Sequence, residues 1–181
     1  MRILAVILVL GLTTAAMAQQ RGKNSLEGTP ISERFFFGGG GSFGSGTQFG
    51  FRYTSIFVSP LVGYRLTVPW SVGAGVNYTY TRYPDADVTL TQYGVSPFTL
   101  YRFGNLFAYG EYSMISVPTF DNSSRSIFTR LPVGLGYTVP VGRRASLNAM
   151  ALYDLIYNSS TSVFASPWVI RVFFTAGGIS F

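Results

Sequence analysis

The feature that most constrains this chain is a two-residue alternation of side chains, repeated along eight segments. Successive side chains of a β-strand point to opposite faces, so this period predicts strands with two chemically different faces. The predicted strands cover residues 34–43, 54–66, 71–83, 88–103, 106–117, 126–139, 146–157 and 166–181. All of them reach the roughly 9–11 residues that a strand needs to cross a bilayer.

The two faces are most distinct in segment 146–157. Its apolar face carries Leu147, Ala149, Ala151, Tyr153, Leu155 and Tyr157. Its opposite face carries Asn148, Met150, Leu152 and Asp154. Segments 71–83 and 106–117 alternate in the same way. The pattern predicts an all-β fold, an eight-stranded antiparallel up-and-down transmembrane β-barrel with its apolar face towards lipid.

Aromatic residues lie near both ends of the apolar faces. The predicted girdle consists of Tyr64, Trp70, Tyr78, Tyr80, Tyr101, Tyr137, Tyr153 and Tyr157. Transmembrane barrels carry such girdles at both interfaces, whereas a soluble β-sandwich, the alternative fold, has no need of them. Only 11% of the residues are charged, against roughly 25% in a soluble domain. The composition therefore also favours a lipid-facing surface.

The amino terminus has the pattern of a secretory signal peptide. Arg2 precedes an uncharged apolar run, and Ala16 and Ala18 form a small-x-small cleavage site. The run is too short for a spanning helix, the alternative interpretation, which needs about 20 residues. We therefore expect residues 1–18 to be removed, so that the mature chain begins at Gln19 and is exported.

Three regions are expected after this assignment: the signal peptide 1–18, a short periplasmic lead-in 19–32, and a barrel 33–181. An even number of strands puts both termini on the periplasmic side. The compact connections 67–69, 104–105 and 140–144 are then periplasmic turns. The connections 44–53, 84–87, 118–125 and 158–165 are extracellular loops. Prolines recur within or beside the strands, and because proline cannot donate to the ladder, we expect them at bulges or near strand ends.

Four charged residues fall on the predicted inner faces: Arg65, Arg102, Glu111 and Asp154, with Arg130 a further candidate. An eight-stranded barrel is just wide enough to be filled by side chains, and buried charges need partners. The sequence therefore predicts a structural ion-pair network of these four residues. The functional alternative is a conduction or proton path.

Several classes of chemistry find no support in the sequence. The chain has no Cys and no His, which excludes disulfides, thiol chemistry and the usual zinc ligands. Outer-membrane enzymes such as acyltransferases and omptin proteases rely on a histidine. The basic residues are scattered rather than clustered, so no nucleic-acid partner is expected. We expect a non-enzymatic protein with no catalytic residues, no cofactor and no metal.

The hairpin formed by residues 59–66 and 71–78 resembles those of small outer-membrane β-barrel proteins, OmpX-like or like the membrane domain of OmpA. The resemblance covers about residues 33–181. Phe181 resembles the terminal aromatic of their assembly signal, and we expect it to face lipid. The resemblance implies outer-membrane lipid and the barrel-assembly machinery as partners, with other outer-membrane proteins as further candidates.

The resemblance transfers a fold and a location rather than a task. A structural barrel or accessory subunit of an outer-membrane complex is the first hypothesis, because the predicted loops are short. A surface adhesion or binding barrel acting through those loops is the alternative. A small pore or a lipid-modifying enzyme comes third.

Overall fold

The computed structural model describes residues 26–177 except 49, 120–122, 143 and 159–165. It confirms an all-β antiparallel fold in which eight spans close into a barrel. The strands are β1 Phe35–Gln48, β2 Phe51–Arg65, β3 Trp70–Tyr83, β4 Val88–Phe103, β5 Leu106–Glu111, β6 Ser113–Pro118, β7 Arg125–Arg130, β8 Pro132–Pro140, β9 Ala145–Asp154 and β10 Trp168–Gly177. Two of the spans are each broken into two strands, β5 with β6 and β7 with β8. Short 3-10 helices cover Ile31–Arg34 and Pro84–Ala86.

Each span pairs with its neighbours in the chain, and β1 pairs with β10 to close the barrel. One end, called the turn end, carries the connections 66–69, 104–105 and 141–144. The opposite end, called the loop end, carries the hairpins after β1, β3, β6 and β9. No helix of the described part of the chain is both long and apolar enough to cross a membrane.

The prolines lie where the ladder is interrupted. Pro60 falls in a gap of the β2–β3 ladder, yet Val58 pairs with Tyr78 and Leu61 with Gly75 in an unchanged register. A bulge would insert a residue and shift that register. The expected bulge is therefore wrong for Pro60, whose missing N–H simply removes ladder bonds.

The two broken spans have the same cause. Pro132 begins β8 directly after the break at Leu131, and the break at Tyr112 lies opposite Pro97. The chain makes up for lost ladder bonds locally: the Tyr112 N–H donates to the Pro97 carbonyl at 3.0 Å, and the Leu131 N–H donates to Asp154 Oδ1 at 2.9 Å. These interruptions lie in mid-span, not near strand ends as the sequence suggested.

The predicted alternation is confirmed. In β9, Asn148, Met150, Leu152 and Asp154 are buried inside the barrel, while Ala149, Ala151 and Tyr153 are exposed on its outer surface. The apolar part of the interior is a single cluster near mid-height. Its buried members are Phe36, Phe98, Leu100, Phe107, Tyr109, Met150, Leu152 and Phe173.

Glycines make room for the aromatic part of this cluster. Phe36, Phe98 and Phe107 each lie directly opposite a glycine on the neighbouring strand, in the pairs Phe36–Gly63, Phe98–Gly73 and Phe107–Gly136. A side chain built on any of these glycines would overlap the facing ring. The narrow interior therefore holds large rings only because their cross-strand neighbours have no Cβ.

Some predicted boundaries need correction. The connection expected at 44–53 is mostly strand, because β1 runs to Gln48 and β2 starts at Phe51. Strand β9 ends at Asp154, three residues earlier than expected, so the following connection is longer. The turn at 84–87 is present, with Asp87 in the left-handed region at φ 51°. The predicted signal peptide 1–18 lies outside the described residues.

The closing strand also corrects an expectation. Phe181 was expected to face lipid, and counting back from it in twos gives Gly177, Thr175 and Phe173 on the same face. In the barrel Phe173 is buried in the interior cluster, whereas Phe174 is exposed outside. The alternation cannot be carried past Gly177, which adopts φ 88°. Phe181 itself lies outside the described residues.

The described part of the lead-in is ordered by one arginine. The Arg34 guanidinium donates from Nη2 to the carbonyls of Leu26 at 3.0 Å and Thr29 at 3.2 Å. Leu26 is buried. The segment before β1 is therefore folded back on itself.

Candidate functional site: the polar interior of the barrel

Polar side chains fill the barrel on both sides of the apolar cluster. The carboxylate of Glu111, at the end of β5, is the most highly connected of them. Arg171 of β10 donates to it through Nη1 at 2.9 Å and Nη2 at 3.0 Å. Tyr109 and Ser113 donate hydroxyl hydrogen bonds to it at 2.8 and 2.9 Å. Because the four donors occupy both oxygens, the negative charge is held in place although Glu111 is only 3% exposed.

This carboxylate ends a hydrogen-bonded chain across the barrel interior. Ser59 donates to Asn77 at 2.8 Å, and Asn77 donates to Ser96 at 2.7 Å. Ser96 then donates to Ser113 at 2.9 Å, and Ser113 reaches Glu111. The chain joins strands β2, β3, β4, β6, β5 and β10. No buried side-chain nitrogen or oxygen among the described residues lacks a partner, as a polar interior requires.

Asp154 forms a second ion pair at the end of β9. Arg130 Nε donates to its Oδ2 at 2.8 Å. The backbone N–H groups of Leu131 and Ile156 donate to Oδ1 at 2.9 and 3.3 Å. One carboxylate therefore ties together the break between β7 and β8 and the start of the connection after β9.

The four residues of the predicted network face the interior, but the structure divides them differently. Glu111 pairs with Arg171 and Asp154 with Arg130. Arg65 and Arg102 lie towards the turn end, close enough for their charges to repel. A single network was expected because every inner charge was treated as reaching every other. In the barrel, the apolar cluster separates the two arginines from the two carboxylates.

Arg171 was missing from the predicted site. It shares a face with Phe173 and Thr175, which lie in the two-residue register of Phe181, the residue expected to face lipid. The available signal was a lone charge between Ile170 and Val172. A charged side chain in a barrel strand costs much less free energy when it faces the lumen than when it faces lipid. Arg171 itself therefore indicates which face of β10 is the inner one.

Cavities between the described residues occupy part of the remaining interior. The turn-end cavity, of about 70 Å³, is lined by Arg65, Arg102 and Arg144 and, among described residues, by no acid. A cavity of about 240 Å³ lies on the loop side of the apolar cluster, beside Glu111, Arg130 and Arg171. A third, of about 140 Å³, lies between β1, β2 and β10 and also touches Arg171.

The outer surface carries the aromatic residues of the predicted girdle. Tyr64, Trp70, Tyr101 and Tyr137 lie towards the turn end, and Tyr78, Tyr80 and Tyr153 lie towards the loop end. Tyr157 follows the end of β9. Trp168, which the sequence argument did not include, packs edge-on against Tyr153 with ring centroids 5.2 Å apart. Aromatic rings therefore stand on the outer surface near both ends of the strands.

The chemistry that this interior can perform is limited by its hydrogen bonds. Ser113 and Glu111 are the nearest approach to a nucleophile with a base, but the Arg171 guanidinium and the Tyr109 hydroxyl already engage that carboxylate. A carboxylate so engaged is a poor proton acceptor. Among the described residues no three acidic side chains come together as a metal site would need. The arrangement is suited to holding strands together.

Fold and interior together define a closed antiparallel β-barrel of eight spans with a packed lumen. No family model, curated protein or solved structure matches the chain.

Proposed function

We propose that the chain is an outer-membrane β-barrel protein, exported through the signal peptide 1–18 and inserted with both termini on the periplasmic side. Its task is structural: a non-enzymatic barrel, or accessory subunit of an outer-membrane complex, that works through its wall. Outer-membrane lipid and the barrel-assembly machinery are its partners. The resemblance to OmpX-like barrels and to the membrane domain of OmpA is part of this proposal.

The observation that carries the location is the reversed distribution of polarity. Large apolar side chains stand exposed along the outer faces of the strands, including Ile170 at 83% and Phe43 at 71% exposure. Charged pairs and hydroxyls lie inside. A soluble protein rarely exposes so large an apolar surface, whereas a barrel in lipid requires one.

The spacing of the outer aromatic residues supports the same location. Trp70 and Tyr80 lie ten positions apart on the outer face of β3. At about 3.3 Å per residue and a strand tilt of about 40°, they are separated by roughly 25 Å along the barrel axis. That is about the height of the apolar band of outer-membrane barrels.

The packed interior favours a structural task over a pore. The cluster around Phe36, Phe107 and Leu152 lies across the lumen, and the latter two side chains are fully buried. Ions would have to cross this apolar layer between the turn-end cavity and the two loop-side cavities. We therefore expect a barrel without steady conductance.

The proposal is tested on the full chain expressed in a Gram-negative host. We expect the protein in the outer-membrane fraction, resistant to urea extraction, and migrating faster in detergent gels when unboiled than when boiled. Purified protein in planar bilayers should give no steady current. Recovery as a soluble periplasmic protein would contradict the location, and a stable open channel would contradict the structural task.

A further inference from the structure

The seam between β1 and β10 is paired over only part of its length. Four pairs join the two strands, from Phe36–Gly177 to Gly39–Phe174. Strand β10 nevertheless pairs with β9 as far as Trp168, and β1 pairs with β2 as far as Gln48. Among the described residues, the loop-side parts of β1 and β10 therefore each have a partner on one side only.

The glycines of β1 show where the two strands separate. A Cβ at Gly38 would meet Phe174 and Thr175 of β10, and one at Gly40, on the same face of β1, would still meet Val172 and Phe173. At Gly44 no described atom would lie within 4 Å. The gap is therefore a wedge that opens between Gly40 and Gly44 and lies on the loop side of the paired seam. We call it the seam cleft.

The seam cleft connects the outer surface with the interior. The inner cavity of about 140 Å³ is lined by inward-facing Leu61, Met150 and Phe173 and also by outward-facing Ile170 and Val172. An open outer groove of about 700 Å³ runs over the glycines of β1 between Pro60 and Phe174. The cavity and the groove share the following lining residues: Gly40, Gly41, Ser59, Val172 and Phe173.

We propose that the seam cleft admits the end of a lipid acyl chain from the membrane into the inner cavity. This inference rests on the proposed membrane location. The glycines leave the entrance unobstructed, since β1 carries no side chain at Gly40 and Gly41, where the cavity meets the outer groove. Leu61, Met150, Phe57 and Phe173 supply the apolar lining.

The size of the cavity fits a chain end rather than a whole lipid. An apolar cavity of about 150 Å³ in another protein holds one benzene molecule, so this one has room for about six carbons. Arg171, whose guanidinium is paired with Glu111, borders the cavity and limits the depth of insertion.

An inserted peptide strand fits the seam cleft less well than an acyl chain. A strand pairing with both edges would need β1 and β10 to stand about 10 Å apart, twice the spacing of neighbouring strands. At Gly40 the strands are still in contact. A wedge of this shape has room for a single hydrocarbon chain, whose cross-section is smaller than that of a strand with its side chains.

The first test uses the unaltered full-length protein in vesicles containing a phospholipid with a diazirine at the end of one acyl chain. After irradiation, we expect adducts on inward-facing Met150 and Leu61 as well as on outward-facing Ile170 and Phe174. Adducts on the outward residues alone would overturn the inference while supporting the membrane location. Absence of adducts from all four would overturn both.

The second test closes the seam cleft with a disulfide. Continuing the register beyond Gly39–Phe174 would place Phe43 opposite Ile170. The chain contains no other cysteine, so the double variant Phe43→Cys/Ile170→Cys has a single possible bridge. The matched control is Phe37→Cys/Ala176→Cys, which lies in the paired part of the seam.

We expect the control pair to oxidise rapidly and the seam pair slowly, only under a catalyst such as copper phenanthroline. The closed seam should lower labelling of Met150 at least tenfold, and reduction should restore it. The oxidised control should label Met150 as the parent does. The inference would be overturned if the Phe43→Cys/Ile170→Cys pair oxidised as fast as the control pair, or if labelling of Met150 were unchanged after this disulfide had formed.

Discussion

Replacement of Arg171 by Met tests the buried ion pair, because it removes the charge while keeping a long apolar side chain. Glu111 would then keep only its two hydroxyl donors at a site where its side chain is 2% exposed. Removing one partner of a buried pair costs about 3–5 kcal/mol. We expect Arg171→Met to lower the free energy of unfolding by an amount in this range.

Removal of the other charge, by Glu111→Gln, should lower the free energy of unfolding by less. In Glu111→Gln the amide oxygen accepts from one of the two hydroxyls, Tyr109 or Ser113, and the amide NH2 can donate to the other. The Arg171 side chain is 20% exposed and can be hydrated from the adjacent cavities. Losing a charge-assisted bond of this kind costs about 1.5–3 kcal/mol. The double variant Glu111→Gln/Arg171→Met leaves no buried charge and should be more stable than Arg171→Met alone, with a coupling energy of about 2–3 kcal/mol.

The assay is equilibrium unfolding in urea with the barrel in lipid vesicles, followed by far-ultraviolet circular dichroism and by the unboiled fraction on gels. The control is Arg52→Gln, because the Arg52–Asp85 pair has the same chemistry but an Arg52 side chain that is 76% exposed. We expect no measurable shift of its midpoint. Equal effects of Arg171→Met and Arg52→Gln, or additive effects in the double variant, would refute the argument.

Three further predictions concern other parts of the chain. Gly136→Ala should prevent or slow assembly because its Cβ would overlap the facing phenylalanine ring, whereas Gly44→Ala should be neutral; gel-shift folding kinetics compare them. The hydrogen bond from Arg52 holds the pKa of Asp85 at about 2, below about 3.9 in an unfolded chain. The contribution of this exposed pair to stability is therefore present above pH 4 and lost as pH falls through 2, but it is too small to shift the unfolding midpoint; carboxyl NMR titration of parent and Arg52→Gln should show the difference in pKa. Deletion of Phe181 should lower the inserted fraction without affecting export, as quantified by fractionation.

The barrel was predictable because strand alternation is local. The polarity of each β9 side chain indicates the face on which it lies, so Leu147 and Asn148 can be assigned to opposite faces from their residue types alone. The hairpin after β1 was missed for the converse reason. Glycine and serine are also typical of turns, so nothing in the sequence around Gly44 indicates that the strand pairing continues through it to Gln48.

The pairing of charges depends on geometry that alternation does not contain. Arg171 and Glu111 are sixty residues apart, and their contact depends on the barrel closing through β10 and on the apolar cluster that isolates Arg65 and Arg102. No face was assigned to Arg171 from the sequence, and counting back in twos from a lipid-facing Phe181 passes through Gly177, which adopts a left-handed φ. The sequence therefore predicted which charged residues face the interior more reliably than which of them form ion pairs.

The most direct test of a lipid-facing barrel is a spin-label scan of β9. The chain has no cysteine, so single cysteines can be placed at each position from 147 to 153 and labelled with a nitroxide in vesicles. We expect odd positions, from Leu147 to Tyr153, to be accessible to oxygen but shielded from a water-soluble nickel chelate. Even positions should be shielded from both because they are buried inside the barrel. High nickel accessibility at the odd positions would show that this face meets water and would contradict the account.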